Sequence, residues 1–347
     1  MPRMIELDGS MGEGGGQILR TSLALSLITQ KPFRLFNVRA GRQKPGLQPQ
    51  HLASVRAAAT IGQATVCGDV VGSQEIVFEP GPVVPGKYRF AIGTAGATGL
   101  VLQTVYLPLA WKTAVPSEIT LVGGTHVSTS PCYHFLDTTW RAYMERIGLT
   151  VKLRLLNAGF YPRGGGVVDA VIQPVQRIDG LRLMKRDPID TATGFSAVAG
   201  LPDHIARRQL RRLVYRLKNL DVNANIVGEE WEGGPGVVLA ATFEQTPVPT
   251  MFFALGARGK PAEEVADELV DDAAKWIKSG APVDPHSADQ VILPLALADG
   301  ASEFLVSTVT RHLTTNIAVI RTFLEREITC DGEEGATGVV RIAAPGL

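Results

Sequence analysis

Gln17, Gln103 and Gln290 each follow a glycine-containing or acidic loop. Each precedes an apolar run rich in Leu and Ala, then a strand, a polar loop and a second helical stretch. The first two glutamines lie about 86 residues apart and the last two about 187, so the second interval is one period plus roughly a hundred residues. This internal period suggests α/β units that cover one another's apolar faces, with a further domain spliced in. The expected fold is therefore α/β, with three repeats around a pseudo-threefold axis and a small inserted α/β domain.

The surplus can be placed. GFYPRGGG (residues 159–166) and a strand over 167–174 close the second unit, and the third opens near Asp284. This predicts repeats one and two over residues 1–183, the insert over 184–278 and repeat three over 279–347. Within the insert, apolar residues recur at helical spacing over 204–220 and 262–280, with strands over 236–244 and 251–257. The Arg and Lys residues of the first of these helices read as a solvated face, with RNA contact as the alternative. In the main body, strands are expected over 33–40, 118–124 and 303–309.

With 45% hydrophobic and 20% charged residues and a formal net charge of +0, the chain has the composition of a folded protein. It also lacks the basic excess of a protein that coats nucleic acid, so any RNA contact must come from a local pocket, which favours binding at an end. The first sixteen residues hold no long apolar run, which argues against a signal or transit peptide. The most apolar window, residues 100–114, is interrupted by Gln103 and Lys112 and falls short of the roughly 20 residues that span a bilayer. No membrane association and a cytoplasmic address are expected. Cys67, Cys132 and Cys330 are scattered without CxxC spacing, so neither a disulfide framework nor a zinc site is indicated.

The sharpest local motif is DGSMGEGGGQILR (residues 8–20), where glycines surround Glu13 just before a helix. Glycines permit close backbone approach, and a helix start offers free N–H groups to an anion. A tight structural turn is an equal reading, because the Lys of a phosphate-binding Walker loop is missing and Gln17 breaks the dinucleotide pattern. In VRAGRQKPGLQPQH (residues 38–51), Arg39, Arg42, Lys44 and His51 crowd a loop that leads into a helix, as phosphate binding requires; a solvated loop is the alternative. IGTAGATGLVLQ (residues 92–103) and GGTHVSTSPCYHF (residues 123–135) line the same cleft if the repeats converge. In HSADQVILPLALADG (residues 286–300), Asp289 suits a ribose hydroxyl or a metal-bound water. His312, in RHLTTNIAVI (residues 311–320), is a candidate nucleophile at a strand-to-helix loop, with a structural role the commoner reading of a lone histidine. Neither a GxSxG elbow nor HExxH is present.

From Ile5 to Val319, DGSMGEGGGQILR, VRAGRQKPGLQPQHL, FAIGTAGATGLVLQT, GFYPRGGG, ADQVILPLALA and RHLTTNIAV resemble, in order, the motifs of the RNA 3′-terminal phosphate cyclase family. The resemblance implies three α/β repeats, each like the C-terminal domain of a translation initiation factor, with a small insert between the second and third. It implies ATP and RNA 3′ ends as partners. His312 would attack the α-phosphorus of ATP, expel pyrophosphate and carry AMP. An RNA 3′-phosphate would take the AMP, and the adjacent 2′-hydroxyl would close a 2′,3′-cyclic phosphate. Phosphoryl chemistry of this kind calls for a divalent metal, Mg or Mn, and several cations.

By the same resemblance Glu13 is the metal-binding carboxylate, and Gln103, Pro131, Asp289 and Gln290 surround the adenosine. His286 stands beside them where family members often carry a tyrosine, which weakens or remakes a stacking contact to adenine. Arg20, Arg39, Arg42, Gln50 and His51 line the phosphate and RNA-end pocket. A relative of the same fold that assists ribosome assembly lacks the histidine, so His312 argues against that role. An enolpyruvyl transferase, with six repeats, needs a longer chain. The sequence leaves a homodimer open.

Overall fold

The structure is a computed structural model that describes residues 3–244 and 247–346. The chain runs β1 (Ile5–Asp8), α1 (Gly16–Thr29), β2 (Phe33–Phe36), α2 (Pro49–Gly62), β3 (Thr65–Cys67) and β4 (Ile76–Glu79). It continues through β5 (Lys87–Ala91), α3 (Thr98–Lys112), β6 (Ser117–Gly123) and α4 (Tyr133–Phe135). A π-helical turn (Leu136–Trp140) leads into α5 (Arg141–Arg146), then β7 (Val151–Asn157) and β8 (Gly166–Ile172). Next come β9 (Arg182–Leu183), β10 (Thr191–Ala199), α6 (His204–Lys218), β11 (Asn223–Trp231), β12 (Gly236–Phe243), β13 (Thr250–Leu255) and α7 (Ala262–Ser279). The last elements are α8 (Pro285–Ala296), β14 (Ser302–Val306), α9 (Arg311–Phe323), β15 (Ile328–Asp331) and β16 (Gly338–Ile342). The fold is mixed α/β.

The strands form four-stranded sheets in the orders β1-β2-β4-β3, β5-β6-β8-β7, β15-β16-β14-β9 and β11-β10-β12-β13. In each, one parallel pair adjoins two antiparallel pairings. Strand β9 precedes the stretch expected as the insert, yet it pairs with β14: Arg182 lies opposite Glu303 and Leu183 opposite Phe304.

Helices α1 and α3 lie inside the molecule, with α1 packed on α2, α3 and α9. Both are apolar on nearly every side, as a wholly covered helix must be. Their few hydroxyls bond back to their own turns or to the adjoining chain: Ser22 Oγ donates to Ile18 O at 2.7 Å, Ser26 Oγ to Lys31 O at 2.6 Å and Thr104 Oγ1 to Leu100 O at 2.8 Å. Helices α6 and α7 are amphipathic and cover one face of the fourth sheet, with Leu213, Leu239, Leu269 and Trp276 in a core of their own. The other face of that sheet joins the main core through Phe195, Ala240 and Met251.

The structure corrects two details of the sequence reading. The strand expected over 33–40 ends at Phe36, because Asn37 and Arg39 both adopt a left-handed φ of 54° that breaks the ladder. The α6 arginines are not simply solvated. Arg208 pairs with Glu263, Arg212 with Asp267, and Arg216 with both Asp267 and Asp271 across the α6–α7 seam. Among the described residues no helix is long and apolar enough to cross a membrane. All three cysteines are free thiols.

Candidate active site

A cavity of about 570 Å³ opens where α1, α3, α8 and α9 meet the loop that precedes α2. Of the residues singled out above, Glu13, Arg20, Arg39, Arg42, Gln50, His51, Gln103, Pro131, His286, Asp289, Gln290 and His312 line it, whereas Lys44 does not. The glutamines that mark the internal period meet here. Gln103 Nε2 donates to Gln290 Oε1 at 2.6 Å, while Gln17 Nε2 donates to Asp289 Oδ2 at 3.2 Å and Gln17 Oε1 stands 2.5 Å from His312 Nδ1.

Local sequence explains this convergence. Gly15 leads α1 with no side-chain cap, so the first N–H groups of the helix face the cavity without a side-chain acceptor. There is no room for a side chain at Gly16, where a Cβ would lie 2.4 Å from His51 Nε2 and 2.9 Å from Arg20 Nη1. Gly12, at φ 56°, faces Thr315 across the gap. The Glu13 N–H donates to Thr315 Oγ1 at 3.0 Å, which ties the glycine loop to α9. His312 lies in the first turn of α9, whose Thr310 cap accepts from Leu313 N; it thus begins a helix, where a loop position was expected. Asp284 caps α8 by accepting from His286 N and Ser287 N.

Charge is concentrated and only partly compensated. Burial lowers the Arg20 guanidinium to about 10, and no side-chain hydrogen bond or ion pair holds it among the described residues; Asp289 is the only opposite charge acting on it. Arg39, also lowered by burial, donates to the carbonyls of Lys44 at 2.5 Å and Gly46 at 3.0 Å. Arg42 forms an ion pair with the Glu13 carboxylate and donates to the Glu13 carbonyl at 3.1 Å. Burial, then Arg20 and Arg39, push His51 down to about 3, so it is neutral. Its Nδ1 accepts from Gln48 N at 3.1 Å, closing a capping box on α2. His312 is lowered by burial first, then by Arg20, Arg42 and His286, and is neutral at pH 7. Asp289 is raised to about 7, chiefly by burial.

The cavity wall includes residues the sequence reading passed over. Tyr106, Phe135, Trp140, Phe253 and Leu293 make an apolar side, with Phe253 contributed by the fourth sheet. Gln17, Thr21 and Asn316 complete the polar side. Helical spacing was the available signal for these: Gln17 and Thr21 share a face with Arg20, and Asn316 lies one turn beyond His312. Of the residue 123–135 motif, Thr129, Ser130, Pro131 and Phe135 reach the cavity. His126 and His134 turn away, bonded Nε2 to Nδ1 at 3.0 Å and packed among Phe160, Phe195 and Trp231.

Among the described residues no cluster of three or more His, Cys, Asp or Glu side chains could hold a metal unaided. Glu13 Oε2 is buried without a hydrogen-bond partner, and such an orphaned oxygen suits a cation whose remaining ligands come from elsewhere.

The family model described as RNA 3'-terminal phosphate cyclase matches residues 11–330. A protein named RNA 3'-terminal phosphate cyclase from Ralstonia nicotianae is 46% identical over 339 residues, covering 97% of this chain and 96% of its own. Similarly named proteins from Salmonella typhimurium and Ectopseudomonas mendocina are 42% and 44% identical, covering 96% and 94% of this chain and 97% and 94% of theirs. A solved structure of the enolpyruvyl transferase NikO from Streptomyces tendae aligns with a TM-score of 0.41 at 12% identity, over 100% of this chain and 49% of that one; a likeness of that size carries no argument. The extent and identity of the other matches place the chain in the RNA 3′-terminal phosphate cyclase family.

Proposed function

We propose that this chain uses ATP to convert an RNA 3′-phosphate into a 2′,3′-cyclic phosphate, with His312 carrying AMP between the two substrates. The observation that carries this reading is a neutral histidine in the wall of a cavity also lined by Arg20, Arg39 and Arg42. A neutral imidazole is a nucleophile, and the surrounding guanidinium groups suit phosphate oxygens that gain charge during transfer.

In the first step an imidazole nitrogen bonds to the α-phosphorus as the bond to the β-phosphate breaks, and pyrophosphate leaves. The RNA 3′-phosphate then displaces the histidine and becomes an adenylylated phosphate. Finally the vicinal 2′-hydroxyl attacks that phosphate, loses its proton and expels AMP. Gln103, Pro131, Asp289 and Gln290 suit the adenosine, with His286 beside them as the stacking group. Arg20, Arg39, Arg42, Gln50 and His51 suit the phosphates and the RNA end. His51, being neutral, serves as a hydrogen-bond donor there, since its Nδ1 is already engaged.

A Mg or Mn ion would be held by Glu13 together with nucleotide oxygens, and when bound it neutralises phosphate charge. Glu13 Oε2 is the oxygen available to it, since Oε1 is paired with Arg42.

We further infer that the sheets β1-β2-β4-β3, β5-β6-β8-β7 and β15-β16-β14-β9 are three repeats about a pseudo-threefold axis, each like an initiation-factor C-terminal domain. Their shared strand order supports this. Residues 184–278 are then the insert, a unit with its own core. A cytoplasmic location and a homodimer complete the proposal.

The test is incubation with α-labelled ATP and magnesium or manganese, without RNA, comparing the wild type with His312→Asn. The expected adduct survives alkali, is lost in acid and is absent from the variant, a loss on the order of 10⁴-fold or more. No adduct in folded wild-type protein moves the reading to a non-catalytic ribosome-assembly role.

A further inference from the structure

The amide of Gln17 bridges two groups of the cavity, with its nitrogen 3.2 Å from Asp289 Oδ2 and its oxygen 2.5 Å from His312 Nδ1. The amide nitrogen donates to the carboxyl oxygen of Asp289, which turns the amide oxygen towards the ring. An amide oxygen in turn offers the ring nothing but an acceptor. The proton of the neutral imidazole therefore sits on Nδ1, and the lone pair is left on Nε2.

The bridge is firmly mounted. Gln17 is 8% exposed in the first turn of α1. Asn316 Nδ2 donates to the Asp289 carbonyl at 2.7 Å, and Thr21 Oγ1 donates to Asn316 Oδ1 at 2.7 Å, which locks α1, α8 and α9 together around it.

Resting on the reading of His312 as the nucleophile, we propose that Gln17 is a positioning residue that fixes His312 as the Nδ1–H tautomer and so leaves Nε2 as the nucleophilic atom. In the transfer, the Nε2 lone pair forms the bond to phosphorus and the departing pyrophosphate takes the electron pair of the broken bond. The ring keeps its Nδ1 proton and becomes cationic. The amide oxygen of Gln17, polarised by Asp289 at its far end, stabilises that charge. Free imidazole side chains favour the opposite tautomer, so without Gln17 the nucleophilic lone pair is misplaced for most of the time.

The experiment combines nitrogen NMR of ring-labelled histidine with single-turnover adenylylation at saturating ATP. In the wild type, His312 is expected to show a protonated Nδ1 and a bare Nε2. Gln17→Leu is expected to move the proton to Nε2 and to slow adduct formation about 10- to 100-fold, the usual range for a partner that orients a reacting histidine, with ATP affinity little changed. Gln17→Glu, which still presents an acceptor to Nδ1, is expected to keep the wild-type tautomer and to be faster than Gln17→Leu. A wild-type ring protonated on Nε2 overturns the proposal, as does a folded Gln17→Leu variant that labels at the wild-type rate. The wild-type spectrum decides the matter even if Gln17→Leu fails to fold. Labelling that persists in His312→Asn defeats the nucleophile assignment instead, so the two failures are distinguishable.

Discussion

On α6, Arg208, Arg212 and Arg216 face the carboxylates of α7, and side-chain hydrogen bonds to those acids raise each guanidinium above its ordinary pKa. Around the cavity the direction reverses: burial lowers Arg20 and Arg39, of which the first feels the charge of Asp289 without an ion pair and the second donates to neutral carbonyls. Residue type and local density are alike in the two places. What differs is whether the fold supplies the counter-charge. A paired arginine belongs to the seam it closes, whereas one held in a cavity without an ion pair is maintained at a cost in stability.

This contrast can be broken by substitution. Arg20→Met is expected to cut RNA-dependent ATP consumption about 10²- to 10³-fold, the scale of removing one preorganised cationic donor. The same change should leave thermal stability equal or higher by about 1–3 kcal/mol, since it removes a penalised charge; a marked loss of stability with activity retained would put Arg20 on the side of the α6 arginines.

Asp289 sharpens the comparison through pH. Its carboxyl is raised from 3.8 to about 7 in the folded protein, so folding favours the protonated form. The associated stability is present below about pH 4 and is lost as pH climbs through about 7, a fall on the order of 4 kcal/mol. Asp289→Asn should flatten that part of the profile in chemical denaturation, and an unchanged slope would remove the buried-carboxylate account.

The smallest effect is expected on α6. Arg212→Ala should lower stability by about 0.5–1 kcal/mol, less in high salt, and leave adenylylation unaltered. A loss of activity there, read in the same labelling assay, would mean that the seam also serves the cavity.

The polar side of the cavity was legible in the sequence because its chemistry requires unusual local patterns. Glycines around Glu13, cations in a proline-containing loop and a histidine beside hydroxyl residues all stand out from ordinary surface or core. The apolar side was not, because Tyr106, Trp140 and Phe253 sit where a helix, a π-helical turn and a strand would carry core residues anyway. Nothing local separates an aromatic that fills a core from one that walls a cavity. The pairing of α6 with α7 was hidden for a related reason, since the partners of Arg208 and Arg212 lie 55 residues further along. The left-handed turns at Asn37 and Arg39 escaped notice because neither position is glycine.

The two-residue strand β9 has a consequence for how the molecule comes into being. Leu181 N donates to Ser302 Oγ, 121 residues later, and among the described residues β9 has no strand beside it but β14. Equilibrium hardly registers such an interruption, because each doubling of a closed loop adds only about 0.6 kcal/mol. Assembly order does register it. A ribosome adding roughly 5–20 residues per second releases β9 and then the whole of α6, α7 and their sheet before β14 exists. The first two sheets and the fourth can therefore close during synthesis while β9 waits unpaired. The helix that bears His312, which follows β14, takes its place only in the final stage of folding.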